Sequence, residues 1–379
     1  MTTDHYLSVE GPGAASGASP AALPPAGADG AALHARSALR APRPDARGPL
    51  LARGALLAPL SGVTDLHMRR IARRLGATAT VSEMVAAEDF ARGTEEARLR
   101  AEGEGVLPHI VQLAGCDPRW MAEGARLAEA NGADVIDVNM GCPAKAVTGG
   151  QAGSALMRDL DHAERLLAAV REAVSVPVTV KMRLGWDDAT RNAPDLARRA
   201  ERLGYAAVTV HGRTRQQFYT GRADWAAIRL VRDAVAIPLV ANGDVAGLDD
   251  ARACLQASGA DAVMIGRAAV GRPWLVAAVA AGLAGESLAE PDAAAKAELA
   301  AEHYDGLIAL YGARMGVRHA RKHLAAYADH AGGLTPDERT RLLTTTDPAE
   351  AARLLRRAFE APSEQPAAPP AARPEQQAA

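Results

Sequence analysis

Residues 132–140 read GADVIDVNM, and segments of the same form recur along the chain. Each segment has a glycine, a short apolar run and a polar residue, and the other three begin at Gly76, Gly204 and Gly259. Because an alanine-rich helical pattern precedes each segment, the glycine is predicted to end a helix in the left-handed conformation. The repeating unit is therefore a helix followed by a buried strand.

Proline opens three further apolar strands, which begin at Pro108, Pro177 and Pro238. Proline suits the first position of a strand because no ladder hydrogen bond is required there. With the apolar run from Ala55, the sequence contains eight short strands alternating with helices. Strands that are apolar on both faces indicate a parallel sheet covered by helices. Eight such units over about 230 residues predict an α/β fold, a closed (β/α)8 TIM barrel.

A doubly wound open sheet is the alternative fold, but its glycine-rich fingerprint is missing after the first strand, where the chain reads LSGVTD. The catalytic barrel is predicted to span residues 49–289. Residues 290–360 show helical patterns interrupted at Gly312, which predicts an all-helical C-terminal domain. Residues 1–48, of which 25 are Ala, Gly or Pro, and residues 361–379 lack a periodic apolar pattern and are predicted to be disordered.

Composition limits the compartment and the partners of the chain. The formal net charge is −2, so a polyanion has to be bound by a local basic patch. Three cysteines in 379 residues are typical of a reducing compartment, and their spacing is not a zinc pattern, so we expect no metal. The N-terminus lacks a signal-peptide pattern, and the longest apolar run, residues 274–285, is too short to span a bilayer. We expect a cytoplasmic protein that does not associate with membranes.

Polar residues end most of the predicted strands, and barrel enzymes carry their active sites at these C-terminal ends. Gln112, Asn139, Lys181, His211 and Asn242 all lie at such positions, which indicates a site. Only four of the 43 basic residues are lysines, which favours a role for Lys181 that requires a compact ammonium group. A lysine and a glutamine suit a heterocycle that gains negative charge on reduction, and a Schiff-base lysine is the alternative.

The loops after strands seven and eight are where TIM barrels often bind phosphate. Here they contain Asn242, Gly243 and Asp244, followed by Gly266 and Arg267. These residues supply backbone N–H groups and one guanidinium. The combination favours a phosphate site over two simple tight turns.

Cys142 lies in a Gly-Cys-Pro turn just after strand four, with Lys145 and Lys181 predicted nearby. A thiol in this position can act as an acid, with its proton controlled by neighbouring cations. The alternative is a small buried hydrophobic residue. Cys254, on an outer helix, fits that alternative, and Cys116 is predicted to have no chemical role.

Two basic segments are candidates for contacts with phosphate or with a nucleic acid. His211 is followed by Arg213 and Arg215 at the barrel mouth and is predicted to contact phosphate or substrate. In the helical region, the basic residues that share one helix without an intervening acid are Arg314, Arg318, Arg321 and Lys322. The three arginines lie on one helical stripe, which suits a phosphodiester backbone, although a solvated helix face is the alternative.

Eight motifs together carry a resemblance to a known family. In order from residue 58 to residue 274 they are APLSGVTD, VSEMV, VQLAG, DVNMGCPAKAV, VKMRLGW, VTVHGRTR, VANGDV and MIGRAAVGRPW. The chain resembles the tRNA-dihydrouridine synthases, and within them the B branch. The one departure is Leu60-Ser61, where many relatives have Met-Ala.

The resemblance implies that FMN binds in the barrel mouth, that NADPH is the electron donor and that a tRNA uridine, in the D-loop, is reduced. The implied cofactor-binding residues are Pro59, Leu60, Ser61, Gln112, Lys181, His211, Asn242, Gly243, Asp244, Gly266 and Arg267. Hydride would pass from reduced FMN to C6 of uracil, and Cys142 would give a proton to C5. The residues expected to contact tRNA are Asn139, Lys145, Arg183, Arg213, Arg215, Arg314, Arg318, Arg321 and Lys322. We expect a monomer.

Two other functions remain open on the sequence. A flavin-dependent reductase of a free pyrimidine or an enone would turn over its substrate without RNA. A non-catalytic tRNA-binding protein would bind RNA without flavin and would not depend on Cys142.

Overall fold

The computed structural model describes residues 54–360. The disorder predicted for residues 1–48 and 361–379 lies outside these described residues.

Eight parallel strands form a closed barrel in chain order, with β1 paired to both β2 and β8. The strands are β1 Ala55–Leu57, β2 Ala79–Ala86, β3 Ile110–Ala114, β4 Val135–Met140, β5 Val178–Arg183, β6 Ala207–His211, β7 Leu239–Asn242 and β8 Ala262–Ile265. All eight strands coincide with the apolar runs found in the sequence. The predicted TIM barrel is therefore confirmed.

Helices cover the barrel and connect its strands. They are α1 Leu66–Leu75, α2 Ala87–Ala91, α3 Glu95–Ala101, α4 Pro118–Ala130, α5 Lys145–Thr148, α6 Leu160–Ala173, α7 Ala193–Arg202, α8 Trp225–Arg232, α9 Leu248–Ser258 and α10 Trp274–Leu283. Two 3₁₀ helices, Gly153–Arg158 and Arg267–Ala269, follow β4 and β8.

The predicted helix ends are confirmed by the caps of α1 and α9. The side chain of Asp65 accepts hydrogen bonds from the first backbone N–H groups of α1, which fixes where this helix begins. Gly76 ends α1 with φ at 115°, and Gly259 ends α9 with φ at 67°. A side chain is strained in this left-handed region, so glycine is the residue that turns each helix into the next strand.

The barrel interior has an apolar floor and a polar upper layer. The buried floor is formed by Leu56, Ala58, Ala79, Val81, Ile110, Val135, Val240, Ala262 and Met264. Higher in β5, Val178, Val180 and Met182 pack against the helices, whereas Thr179 and Lys181 alternate with them and face the interior. The polar side chains therefore stand on an apolar base at the C-terminal ends of the strands.

An all-helical region follows the barrel, as predicted. It contains α11 Ala293–Ala331, α12 Pro336–Thr344 and α13 Pro348–Glu360. The predicted interruption at Gly312 is confirmed, because its φ of 73° and ψ of 164° bend α11 into two arms. A buried apolar cluster joins these helices to Ile71 of α1 and Trp274 of α10. Within residues 54–360, no helix combines the length and apolarity needed to cross a membrane.

Candidate active site

Strand pairing brings the predicted site residues to one level of the barrel. Asn139 on β4 is paired with Lys181 on β5. His211 on β6 is paired with Arg183 on one side and Asn242 on the other. Five side chains from four neighbouring strands therefore meet at the C-terminal end of the barrel, where barrel enzymes have their active sites.

A buried hydrogen-bond network fixes the amide of Gln112. Its Nε2 donates to Asp137 Oδ2 at 2.7 Å, and its Oε1 accepts from Asn139 Nδ2 at 2.7 Å. Thr179 donates to the other carboxylate oxygen of Asp137 at 2.6 Å. Burial raises the pKa of Asp137, and the bonds from Thr179 and Gln112 oppose that rise. The sequence analysis missed Asp137, although its position two residues before Asn139 puts both on the same face of β4.

The backbone around Cys142 is held from both sides. Asn139 Oδ1 accepts hydrogen bonds from the backbone N–H groups of Gly141 and Cys142 at 3.2 and 3.0 Å. The Cys142 carbonyl accepts from the backbone N–H and the hydroxyl of Ser154 at 3.0 and 2.8 Å. Gly153 has φ at 59°, and a Cβ there would lie 2.8 Å from the Cys142 carbonyl oxygen. The backbone from which the thiol projects is therefore fixed.

The environment of Cys142 keeps its thiol protonated at neutral pH. Burial raises its pKa above the ordinary value of 9.0, and the charges of Arg183 and Lys181 only oppose this rise. A protonated thiol suits an acid rather than a nucleophile. Cys254 is fully buried in α9, with a pKa raised to about 12 by burial, so its predicted role as a small hydrophobic residue is confirmed.

Lys181 is held by an oriented amide. Its Nζ donates to Asn242 Oδ1 at 3.0 Å, and Asn242 Nδ2 donates to the Met264 carbonyl at 2.8 Å, which turns the amide oxygen toward the lysine. Burial lowers the pKa of Lys181 to about 8. The ammonium form therefore predominates at neutral pH, next to the thiol of Cys142.

Two arginines share one carboxylate in the loop after β7. Arg213 donates to both oxygens of Asp244 at 2.9 and 2.6 Å, and Arg267 Nη2 lies 3.2 Å from Oδ1. Ala223 N–H also donates to Asp244, whose φ of 56° is left-handed. The Arg213 side chain is 1% exposed and that of Arg267 is 58% exposed. Arg267 is thus the guanidinium that an anion can reach from solvent.

His211 is a neutral imidazole among cations. Its Nε2 lies 3.3 Å from Nη1 of Arg213, and because a guanidinium only donates, Nε2 accepts and the proton resides on Nδ1. Burial, followed by the charges of four nearby cationic side chains, holds the pKa of His211 well below its ordinary value. A Cβ on Gly243, whose φ is 118°, would lie 2.8 Å from the imidazole ring. Glycine therefore lets the loop backbone approach His211 closely.

Three residues expected to contact tRNA, Asn139, Arg183 and Arg213, are buried and form hydrogen bonds within the site. Arg183 donates to the carbonyls of Gly141, Thr214 and Phe218 at 2.8 Å each. Arg213 is bonded to Asp244 and to loop carbonyls, and the Asn139 side chain is used in the Gln112 network and the Cys142 turn. Arg183 and Arg213 do not present their guanidinium groups to a surface phosphate. In the structure these two arginines position loops, and their contact with tRNA stays a prediction.

The other predicted tRNA contacts at the barrel lie nearer the surface. Lys145 is exposed at the start of α5. The guanidinium of Arg215 is partly buried, 4.7 Å from the ring centre of Trp186 and 4.6 Å from that of Phe218. Tyr219 is an exposed aromatic residue of the same loop, and the guanidinium of Arg267 lies 4.9 Å from its ring centre.

The basic stripe of α11 divides into two parts. Arg314 and Arg318 are exposed, whereas Arg321 and Lys322 are partly buried. Lys322 faces the loop after β1, because a Cβ on Gly62 would overlap with its Nζ. Only the first two arginines are therefore fully available to an external polyanion.

The loop after β1 lies beside the loop after β8. Pro59 and Leu60 are partly buried and Ser61 is exposed. A Cβ on Gly266 would meet the Leu60 side chain at 3.8 Å, an ordinary contact distance. Leu60 and Gly266, two of the predicted cofactor residues, are thus neighbours where β1 pairs with β8.

Comparison with known proteins gives one consistent family. A family model described as dihydrouridine synthase (Dus) matches residues 56–361. A protein of Rhizobium leguminosarum bv. phaseoli named "Probable tRNA-dihydrouridine synthase" is 52% identical over 307 residues, which are 81% of this chain and 95% of that protein. A protein of Xanthomonas axonopodis pv. citri named "tRNA-dihydrouridine synthase B" is 50% identical over 278 residues, which are 73% of this chain and 84% of that protein.

The protonation of Cys142 is testable by alkylation. In flavin-stripped protein, its reaction with iodoacetamide should increase with pH with a midpoint above 9.0, because burial raises its pKa and only the thiolate reacts. Mass spectrometry of the peptide that contains Cys142 measures the rate, and a Cys142→Ala variant confirms the peptide's identity. A midpoint below 9.0 would mean that the nearby cations outweigh burial, and a midpoint below neutral pH would exclude a protonated thiol as the resting form.

Proposed function

The chain belongs to the dihydrouridine synthase family, and from this premise we propose that it reduces the C5–C6 double bond of a uridine in tRNA, using FMN and NADPH. One observation carries the proposal. Cys142 is held with its thiol protonated at the mouth of the barrel, close to the cations Lys181 and Arg183. This arrangement supplies an acid where a reducible base would enter.

The charges of the barrel mouth fit a flavin phosphate. The cations that lower the pKa of His211 are Lys181, Arg183, Arg213 and Arg267. Their charges exceed those of the two carboxylates in the same region, Asp137 and Asp244. An excess of positive charge and the close approach of the backbone at Gly243 suit a phosphate group between the loops after β7 and β8. Arg267 is the exposed cation that would bind it.

The polar layer next to Cys142 fits the ring of the same cofactor. Gln112 is fixed by Asp137 and Asn139, and Lys181 is fixed by Asn242, so both side chains are pre-oriented within the polar layer. A lysine close to a flavin ring stabilises the negative charge of its reduced form. When bound there, reduced FMN supplies the hydride for C6 of uracil, and NADPH is the source of the electrons.

Cys142 completes the reduction by donating its proton to C5. The S–H bond breaks as the new C–H bond forms, so the base gains two hydrogens and the residue is left as a thiolate. Lys181 and Arg183 stabilise that thiolate, because their charges lower the pKa of Cys142. A proton from solvent then restores the thiol. The bonds to Asn139 and Ser154 hold the Cys142 backbone in place at the barrel mouth.

The substrate has to place one base in the barrel mouth while the rest of the RNA stays outside. A uridine in a folded tRNA, proposed here as one of the D-loop, must be turned out of its stack to reach Cys142. Arg314 and Arg318 are exposed on α11, and Lys145 is exposed at the barrel rim. These residues suit phosphate contacts that hold the RNA by shape and charge.

Flavin reoxidation tests the proposed reaction directly. Protein loaded with FMN is reduced with NADPH under anaerobic conditions and mixed with tRNA that lacks dihydrouridine, and the flavin absorbance is followed. Rapid reoxidation by tRNA, with none by free uridine, is expected. Reoxidation by free pyrimidine or an enone alone would make the protein a small-molecule reductase. Failure to bind FMN would contradict the proposal, and tRNA binding by the same protein would then favour a non-catalytic RNA-binding function.

Replacing the proposed acid separates proton donation from cofactor binding. Cys142→Ala should retain FMN and its reduction by NADPH, but tRNA-dependent reoxidation should fall by about 10²–10⁴-fold, the range typical of a lost general acid. Cys116→Ala, which removes a partly buried thiol after β3, is the matched control and should react as wild type. Unchanged turnover by the Cys142 variant would remove this residue from the reaction.

The exposed pair on α11 should contribute to tRNA affinity through charge. The double variant Arg314→Glu/Arg318→Glu should bind tRNA more weakly, and the slope of log K against log salt should become shallower by about one unit for each phosphate that is no longer neutralised. A double variant of exposed arginines on outer helices, Arg126→Glu/Arg252→Glu, has the same net charge and serves as control. Equally weakened binding by both variants would show a general charge effect instead of a specific surface.

A further inference from the structure

A second cluster of polar side chains lies where the loop after β1 meets α11. It consists of Asp65, His303 and His323. The two histidines are on opposite arms of α11, and 20 residues of straight helix would separate them by about 30 Å. Because α11 bends at Gly312, their ring centres lie only 4.4 Å apart. The bend thus brings both imidazoles to one carboxylate of the barrel.

The donor atoms of this cluster have the spacing of ligands around a single ion. His303 Nε2 lies 3.0 Å and His323 Nε2 lies 3.5 Å from Oδ2 of Asp65. Ligand atoms of the three residues all lie within 4.8 Å of one another. Tetrahedral zinc with ligands at about 2.0–2.1 Å has ligand-to-ligand distances of about 3.3 Å. An ion therefore fits among these atoms after small side-chain shifts.

Outer hydrogen bonds orient the ligands in the way that metal sites require. Oδ1 of Asp65 accepts from the backbone N–H groups of His67 and Met68 at 2.9 and 3.1 Å, which leaves Oδ2 for the cluster. Nδ1 of His303 lies 3.1 Å from the hydroxyl of Tyr327, so Nε2 is directed at Asp65. Such partners fix the orientation of ligating carboxylates and imidazoles.

Burial and charge also favour a cation at this position. Asp65, His303 and His323 are 6%, 0% and 2% exposed. A buried carboxylate is costly unless a positive charge accompanies it.

A small cavity beside the cluster has room for about one water molecule. Gly62, Glu83 and Tyr311 line this cavity together with Asp65 and His323. Glu83 Oε1 is buried and has no hydrogen-bond partner among the residues that the structure describes. Nδ1 of His323 is also buried without a hydrogen-bond partner among these residues. Unpaired polar atoms at the edge of a His₂Asp cluster suit a bound water or a fourth ligand.

We propose that Asp65, His303 and His323 bind one divalent transition-metal ion, of which zinc suits the donor set best. Two imidazoles and a carboxylate are a common combination for this ion. The ion ties the N-terminus of α1 to both arms of α11, so it fixes the helical region to the barrel. The site is separate from Cys142 and is not involved in the chemistry proposed above.

Metal stoichiometry and affinity test the site in the full chain. Protein stripped with a chelator is incubated with zinc chloride, desalted and analysed by inductively coupled plasma mass spectrometry. Wild type should retain one zinc ion per chain, and its melting temperature should rise when zinc is added. Asp65→Asn and His323→Gln should both lose the ion. Tyr327→Phe should keep the ligands but bind zinc about 10–100-fold more weakly, as expected when an outer hydrogen bond is removed.

Control variants distinguish loss of a zinc ligand from a general effect on the fold. His319→Gln alters a neighbouring histidine of the same cavity outside the cluster and should retain zinc. Asparagine caps a helix as well as aspartate does, so Asp65→Asn should preserve α1, and circular dichroism checks the fold of each variant. Asp65→Asn and His323→Gln each remove a different ligand, so either variant can test the loss of zinc if it folds correctly.

Cobalt substitution identifies the type of ligand and distinguishes this site from zinc bound by cysteines elsewhere in the chain. A nitrogen and oxygen site gives d–d bands without the strong charge-transfer band of a thiolate, so binding by cysteines would be recognised. Wild type that retains no zinc would overturn the proposal and leave a hydrogen-bonded cluster in its place. Zinc retained equally by Asp65→Asn and His323→Gln, or a thiolate band, would overturn it as well.

Discussion

The side chain of Asn139 is the constraint on which the site depends. Its Nδ2 donates to Gln112, and its Oδ1 accepts from the backbone of Gly141 and Cys142. One amide thus connects the buried polar layer of the barrel to the turn that presents the thiol. Since Gln112 is in turn bonded to Asp137, the Cys142 turn is tied to strands β3 and β4 as well as to Ser154 of its own loop. A site built on strands holds its geometry more closely than one built on loops alone.

Electrostatics then divides the residues at the barrel mouth into separate roles. Burial acts on all of them, but its direction depends on the charge of the ionised form. It raises the pKa of Cys142 and lowers that of Lys181 to about 8. It also keeps His211 neutral, and the surrounding cations reinforce that effect. The result at neutral pH is a protonated thiol beside an ammonium group. The thiol can donate a proton, and the ammonium group can stabilise the thiolate that remains.

The sequence predicted those features that depend on local pattern. The glycines and prolines that precede each strand are signals contained within a few residues, so all eight strands were predicted. Lys181 and Cys142 were identified because Lys181 lies near the C-terminal end of β5 and Cys142 lies just after β4. The direction of Arg183 and Arg213 was not predictable in the same way, because it depends on carbonyls of Thr214, Phe218, Thr220 and Gly221 that a long loop brings together. The cluster of Asp65, His303 and His323 was missed for a related reason, since the chain separates the first of these residues from the others by more than half its length.

The bend at Gly312 connects the helical region to the barrel in two ways. If α11 were straight, His303 and His323 would lie far apart, and the second arm would extend away from the loop after β1. The bent helix instead turns Lys322 toward Gly62 and leaves Arg314 and Arg318 exposed. One left-handed residue therefore determines which basic side chains face the barrel and which face solvent. Because Asp65 caps α1 and contacts both arms of α11, this buried carboxylate acts together with the apolar cluster around Ile71 and Trp274 to orient the exposed arginines relative to the barrel mouth.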